Sequence, residues 1–411
     1  MKKAMHLFMT CALALSLSAC VSGTTPEKES PSQSSVSNTA SQNTKASDEA
    51  ITVAFIGNTT GGLAQYGTAV GNATKLFFDQ LNASGGINGK KINLITYDDE
   101  GDTTKVINAY NLAVQEKATA IVGAVLTNTT EALADATFED NMPQITGSAT
   151  AAGVTKINPE DPNSEVRTNV FRSCFTDQYQ GERMADYAFE KLGAKRIAIL
   201  FMTGDSYSEG LHDAFVAKSK EHGVEIVAEE AFGEGDKDFK AQMTNIAAKK
   251  PDAVYMAIYN DVGGLAIKAA REAGYTGTIL GGDGFASISS FASAEELEGV
   301  LYYSGYAPGT DSVLQFEKDY ETAFGEKVPN MFAPQAFDAC MMLAHGIRAA
   351  EDAGLTAGTD EYKQAIIDDI KELKDFKGIT GTYSFDKFNN PIKTAAIIEI
   401  KDGKEVLKEM Y

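Results

Sequence analysis

From Ile51 onward, short apolar runs of strand length alternate with stretches of helical period, and this alternation limits the chain to a narrow set of folds. Ile51 to Gly57 is a buried-strand run, after which Val70, Ala73, Phe77 and Leu81 share one helical face until Gly85-Gly86 stops it. Residues 92–97, 118–124 and 143–148 read as further strands, each followed by a helical segment. The pattern restarts after Val170-Phe171-Arg172, with strands over 196–202, 224–228, 253–258 and 278–280. Between them lie helices such as 261–273, which places Val262, Leu265, Ala266, Ala269 and Ala270 together. Strands that alternate with helices of this length form parallel sheets covered on both faces. Two series in succession, in 411 residues, predict an α/β protein of two doubly wound lobes.

In such sheets ligands sit beyond the carboxyl ends of the strands. Here those ends read Gly57-Asn58-Thr59-Thr60, Val125-Leu126-Thr127-Asn128-Thr129, Gly147-Ser148-Ala149-Thr150, Tyr259-Asn260 and Gly281-Gly282-Asp283-Gly284. They are small, rich in hydroxyls and glycine, and carry one carboxylate, a make-up suited to hydrogen-bonding a small polar ligand.

The motifs of catalysis are missing. A phosphate loop needs G-x-x-x-x-G-K-[ST] so that backbone N–H groups cradle phosphate; Ser84-Gly85-Gly86-Ile87-Asn88-Gly89-Lys90-Lys91 lacks the leading glycine and the final hydroxyl. Gly204-Asp205-Ser206-Tyr207-Ser208 has serine where a nucleophile elbow has its second glycine. His212, His222 and His345 are widely spaced and form no zinc pair. The run Asp98-Asp99-Glu100-Gly101-Asp102 departs from a calcium loop and reads as a solvated turn that starts a helix. No enzyme activity, cofactor or metal is expected. A net charge of −21 repels phosphate backbones, so nucleic acid is not an expected partner.

The first residues read as an address. Lys2 and Lys3 precede an apolar stretch that closes on Leu17-Ser18-Ala19-Cys20. This resembles the lipobox of bacterial lipoproteins, which implies a leader over 1–19 and a lipidated Cys20; the alternative is a plain cleaved signal peptide. Residues 21–50 hold eight serines and four threonines with only Val21 and Val36 as large aliphatics, and so read as a flexible tether. With Cys11 in the leader and Cys20 at the lipid site, Cys174 and Cys340 remain; a disulfide is possible outside the cytosol, and core thiols are the favoured reading.

Ala64-Gln65-Tyr66-Gly67, Gly85-Gly86-Ile87-Asn88-Gly89 followed by Tyr97-Asp98-Asp99, Arg196-Ile197-Ala198-Ile199, Tyr207 with Glu209-Gly210, and Gly281-Gly282-Asp283-Gly284 fall in one order. That ordered set, over residues 51–411, resembles the leucine/isoleucine/valine-binding proteins, the solute receptors of ATP-driven branched-chain amino-acid importers. The resemblance implies a type I periplasmic-binding fold with three crossovers between lobes. Lobe 1 would hold residues 51–173 plus about 304–390, and lobe 2 about 174–303 plus the tail 391–411. It implies that Thr127 binds the carboxylate of an amino acid, that Thr150 serves both ends of the zwitterion, and that the Ser148 carbonyl accepts from the ammonium. Asp283 stands where the branched-chain receptors carry a glutamate that pairs with the ammonium. Tyr66, Val125, Leu126, Tyr207, Tyr259 and Phe332 fall at or near wall positions, and no arginine stands at a matched position to suggest a dicarboxylate.

Each residue has a plainer reading. Thr127 and Thr150 could cap helices, Tyr66 and Tyr207 could be surface aromatics, Tyr259 and Phe332 ordinary core, and Asp283 a turn former. The resemblance implies an extracytoplasmic monomer, held to a membrane only through its lipid, that delivers an aliphatic amino acid to a permease with separate ATPase subunits. Alternatives are the same fold binding urea, amides or small aromatic carboxylates, or a ligand sensor not coupled to transport.

Overall fold

A computed structural model describes residues 50–411; the expected leader 1–19, Cys20 and the tether up to residue 49 lie outside the described residues. The first series of elements is β1 (Ile51–Gly57), α1 (Ala64–Ala83), β2 (Ile92–Asp98), α2 (Thr103–Gln115), β3 (Ala120–Gly123), α3 (Thr127–Glu139), β4 (Gln144–Thr146) and β5 (Val170–Arg172). Its strands form a five-stranded sheet in the order β2-β1-β3-β4-β5, parallel throughout. Alternation along β1 decides how both faces are covered: Val53 and Phe55 join one buried cluster, Ala54 and Ile56 another, the latter packed by Val106 and Tyr110 of α2 and Leu133 of α3.

The second series is α4 (Asp177–Glu190), β6 (Arg196–Met202), α5 (Ser206–Glu221), β7 (Glu225–Phe232), α6 (Lys240–Lys249), β8 (Ala253–Ala257), α7 (Asn260–Glu272), β9 (Thr278–Gly281), α8 (Ala294–Leu297) and β10 (Leu301–Ser304). The chain then returns to the first sheet with α9 (Leu314–Phe324), α10 (Phe332–Asp352) and α11 (Asp360–Lys371), where α10 packs on α1, β3 and β4. A small ribbon, β11 (Phe376–Lys377) with β12 (Thr382–Tyr383), leads to a third crossing and to β13 (Ala396–Lys401) and β14 (Lys404–Met410). The second sheet has the order β7-β6-β8-β9-β10-β13-β14. We call the two sheets with their helices the first and second lobes.

The fold is the expected α/β type with two lobes, three crossings and mostly parallel sheets, with one departure. β13 runs antiparallel to β10, and β14 antiparallel to β13, the two joined at Asp402-Gly403, both with positive φ (51° and 70°). An Asp-Gly pair between apolar runs is a strong hairpin signal, so this element was readable from Lys401-Asp402-Gly403-Lys404. Strand limits moved too: the fourth strand is only Gln144–Thr146, and β7 extends to Phe232. The acidic run is corrected as well. Asp102 does start α2, accepting from Thr104 N (2.8 Å) and Lys105 N (2.9 Å), but Asp99 is not solvated: it is fully buried and accepts from Gly101 N. Cys174 and Cys340 are free and buried, and burial pushes both thiols up to about 12.

Candidate functional site

A small cavity lies between the lobes, lined by Tyr66, Val125, Leu126, Thr127, Ser148, Tyr207, Tyr259, Asp283, Gly284 and Phe332. Every residue expected at the site is in that wall except Thr150, and Gly284 is the one addition. The wall is built from turns that follow β3, β4, β8 and β9 and from the first turns of α1, α3, α5 and α10. This is where the strand-end rule puts a ligand.

The first lobe contributes neutral donors. Thr127 is the first residue of α3, whose N-cap position is Leu126; no side chain caps that helix and its first turn holds no acid. Helix starts leave N–H groups without intrahelical partners and carry partial positive charge, so this end is open to an anion. The Thr127 hydroxyl accepts from Thr150 N at 3.4 Å, and the Ser148 hydroxyl donates to Val125 O at 2.8 Å. Thr150 lies just behind, its hydroxyl buried with no partner. Neither threonine caps a helix: Thr127 stands one position past the cap of α3, and Ala151, not Thr150, precedes the short turn Ala152–Val154.

The second lobe contributes acid. Asp283 is 1% exposed, and its Oδ2 is buried without a partner. Its backbone N–H donates to Gln180 Oε1 at 2.9 Å, while Gly284 N donates to the Tyr207 hydroxyl at 2.7 Å. A side chain at position 282 or 284 would collide with that hydroxyl, so both glycines flanking Asp283 are needed for Tyr207 to approach. Burial pushes the Asp283 carboxyl up to about 7, against the opposing pull of Tyr207 and Gln180. It does sit in a tight turn, Asp283–Phe285, but a turn former would stay in water.

The remaining wall is aromatic. Tyr66 packs edge-on to Phe332 (centroids 4.9 Å apart), and Tyr207 stacks on Tyr259 (4.7 Å). Tyr66 and Tyr207 are buried rather than surface aromatics. The Tyr66 hydroxyl also ties the lobes together: it donates to Gly284 O at 2.6 Å and accepts from Asn260 N at 3.3 Å. A second tie joins α3 to the start of α5. Asn128 Nδ2 donates to Asp205 Oδ2 (3.2 Å), Ser206 N donates to Asn128 Oδ1 (3.2 Å), and the Ser206 hydroxyl donates to Glu131 Oε2 (2.8 Å).

Sequence reading missed Asp177, Gln180 and Asp205. Asp205 caps α5 through Ser208 N and is 4% exposed, with its carboxyl pushed by burial up to about 6. Asp177 opens α4 and is 2% exposed, with neither carboxylate oxygen hydrogen-bonded. In sequence both look like ordinary acids at a helix start, and no local signal separates them from a solvated cap.

The periplasmic binding protein family model matches residues 50–405. The chain is 30% identical over 336 residues to the Leu/Ile/Val-binding protein BraC3 of Rhizobium johnstonii, covering 82% of this chain and 87% of that one. Its structure is similar to that of the leucine-binding protein LivK of Thermotoga maritima (TM-score 0.78, 28% identity, 88% of this chain and 98% of the other). It is equally similar to the branched-chain amino-acid transporter substrate-binding protein LivJ of Streptococcus pneumoniae in complex with isoleucine (TM-score 0.78, 30% identity, 88% and 99%).

Proposed function

The chain belongs to the periplasmic binding protein family, and on that premise we propose that it captures an aliphatic, branched-chain L-amino acid between its lobes and delivers it to an import permease. One observation carries the reading. A buried carboxylate, Asp283, and an uncapped helix start at Thr127 line the same small cavity, with aromatic and aliphatic side chains between them. A zwitterion has the matching polarity. Its ammonium would pair with Asp283 and the Ser148 carbonyl, and its carboxylate with the hydroxyl and N–H of Thr127 and with Thr150. Charge-assisted hydrogen bonds of this kind are about twice as strong as neutral ones. Val125, Leu126 and the four aromatic residues would receive the side chain. Aspartate in place of a glutamate leaves more room beside the ammonium.

The family's members are substrate-binding proteins rather than enzymes. In this reading residues 51–173 with 304–390 move as one lobe against 174–303 with 391–411, and ligand favours closure by its higher affinity for the closed form. The body works outside the cytoplasm as a monomer. Cys20 carries a lipid after removal of 1–19, the stretch to residue 50 is the tether, and the ATPase subunits are separate chains.

The test is a thermal-shift series on the full chain, unfolded and refolded to remove carried-over ligand, against the amino acids, urea, amides and benzoate. Ligand at about a hundred times its Kd stabilises by roughly 2.7 kcal/mol. A rise confined to aliphatic amino acids and lost in Asp283→Ala is expected. A rise with amides or benzoate alone would overturn the zwitterion site.

A further inference from the structure

Resting on that reading, we infer that Lys393 is a positioning residue for closure: a hinge cation, away from the cavity wall, that yokes the third crossing to the first and holds the lobes shut over a bound amino acid. The first crossing is residues 173–176, between β5 and α4, and the third is 384–395, between β12 and β13. From the third, Lys393 Nζ donates to Ser173 O of the first at 3.3 Å. It also donates to the hydroxyls of Thr380 (2.9 Å) and Tyr383 (3.1 Å) in the small ribbon. Both hydroxyls donate in turn to Asp338 Oδ2 of α10, at 2.6 and 2.8 Å, which leaves their lone pairs for the ammonium. Asp338 is fully buried and also accepts from Ile379 N (2.6 Å) and Thr380 N (2.9 Å). The carboxylate is thus fixed to the ribbon, and the cation reaches it through two hydroxyls whose bonds all run in one direction.

The same helix connects this cluster to the cavity. One turn before Asp338, Gln335 Nε2 donates to Gly147 O at 3.2 Å, next to Ser148, and the Gln335 carbonyl accepts from the Ser173 hydroxyl at 2.7 Å. A side chain at Gly305, which opens the second crossing, would collide with the Gln335 amide. One turn earlier still, Phe332 stands in the cavity wall. Along α10, then, wall and crossings are held by one rigid element. The lobes are shut here, tied across the cleft by Tyr66 to Gly284 and by Asn128 to Asp205. Opening turns one lobe against the other through backbone changes in the crossings. A bond that runs from one crossing to another resists that motion, so the tie from Lys393 to Ser173 is a bond of the closed form. Breaking it precedes release.

Stopped-flow release and calorimetric titration of the full chain with L-leucine at pH 7 test this. Lys393→Met keeps the aliphatic stem and removes the charge; it should speed release about tenfold, leave the on-rate within about twofold, and raise Kd in proportion. Tyr383→Phe keeps the ring and removes one hydroxyl of the relay; it should speed release several-fold, and serves if Lys393→Met does not fold. The two changes together should release leucine no faster than Lys393→Met alone, because both cut one tie. Release unchanged in both variants, with only the melting temperature lowered, would make the cluster a static brace and overturn the inference. A wild type that ignores leucine would instead overturn the proposed function, and this inference with it.

Discussion

The two lobes present opposite electrostatic faces to one cavity, and the start of each helix shows how. In the first lobe, α1, α3 and α10 reach the wall through Tyr66, Thr127 and Phe332, and none has an acid in its first turn. In the second, α5 begins on Asp205 with Glu209 in its first turn, α7 has Asp261, and α4 has Asp177. The second lobe thus neutralises its own helix dipoles, whereas the first leaves them for a ligand. In the proposed pose the first lobe would hold the carboxylate and, through the Ser148 carbonyl, part of the ammonium, and Asp283 of the second lobe would complete it, so full affinity requires closure.

Asp283→Ala strikes at the acidic side and should have the largest effect. Truncating one member of a buried, hydrogen-bonded charge pair costs about 2–5 kcal/mol, so Kd for leucine should rise by at least about thirtyfold in calorimetric titration. The empty protein should melt no lower, because the change removes a buried acid oxygen without a partner. A loss of stability with unchanged affinity would break the comparison.

Proton linkage sharpens it. Below the Asp283 value of about 7 the empty site must shed a proton to receive an ammonium, so leucine affinity should fall by about tenfold per unit from pH 7 to 5 and level off above. The stability of the empty protein should run the other way. Asp283, Asp205 (about 6) and Asp99 (about 6) are all raised above their unfolded values near 4. The stability they contribute is present below pH 4 and lost as pH rises through 6 to 7. Thermal melts of the empty protein from pH 4 to 8 check the sign, and Asp283→Asn should flatten the affinity profile while leaving part of the stability profile.

The neutral side is probed by Thr127→Val. Loss of a hydrogen bond to a charged group costs about 1.5–3 kcal/mol, and because Thr127 does not titrate, the loss should be the same at pH 6 and pH 8. A pH-dependent loss would mean that the ligand's polarity is reversed. The smallest effect is expected for Asn128→Ala, which cuts the tie from α3 to Asp205 and Ser206 outside the wall. About 1 kcal/mol of closure should be lost, seen as a faster off-rate in stopped-flow release.

Much of this molecule is written in local pattern. The period of two in β1 and of 3.6 in α1 and α7 places the layers, and glycines and hydroxyls at the strand ends mark where the cavity forms, because each depends only on near neighbours in the chain. The family resemblance supplied the expected roles of Thr127, Thr150 and Asp283. The Asp402-Gly403 hairpin was also legible, as a turn dipeptide between apolar runs. Asp99, Asp177 and Asp205 were not. In sequence each is an acid at a turn or a helix start, where water is the default partner. Their burial and their raised proton affinity come from segments far along the chain, such as Thr150 and Gly210 against Asp177, and Asn128 and Tyr259 against Asp205. The sequence alone determined which segments become strands and helices and which strand ends carry polar groups. Only the tertiary structure decided which carboxylates lose their water, because desolvation is a property of everything packed around a group and not of the residues beside it.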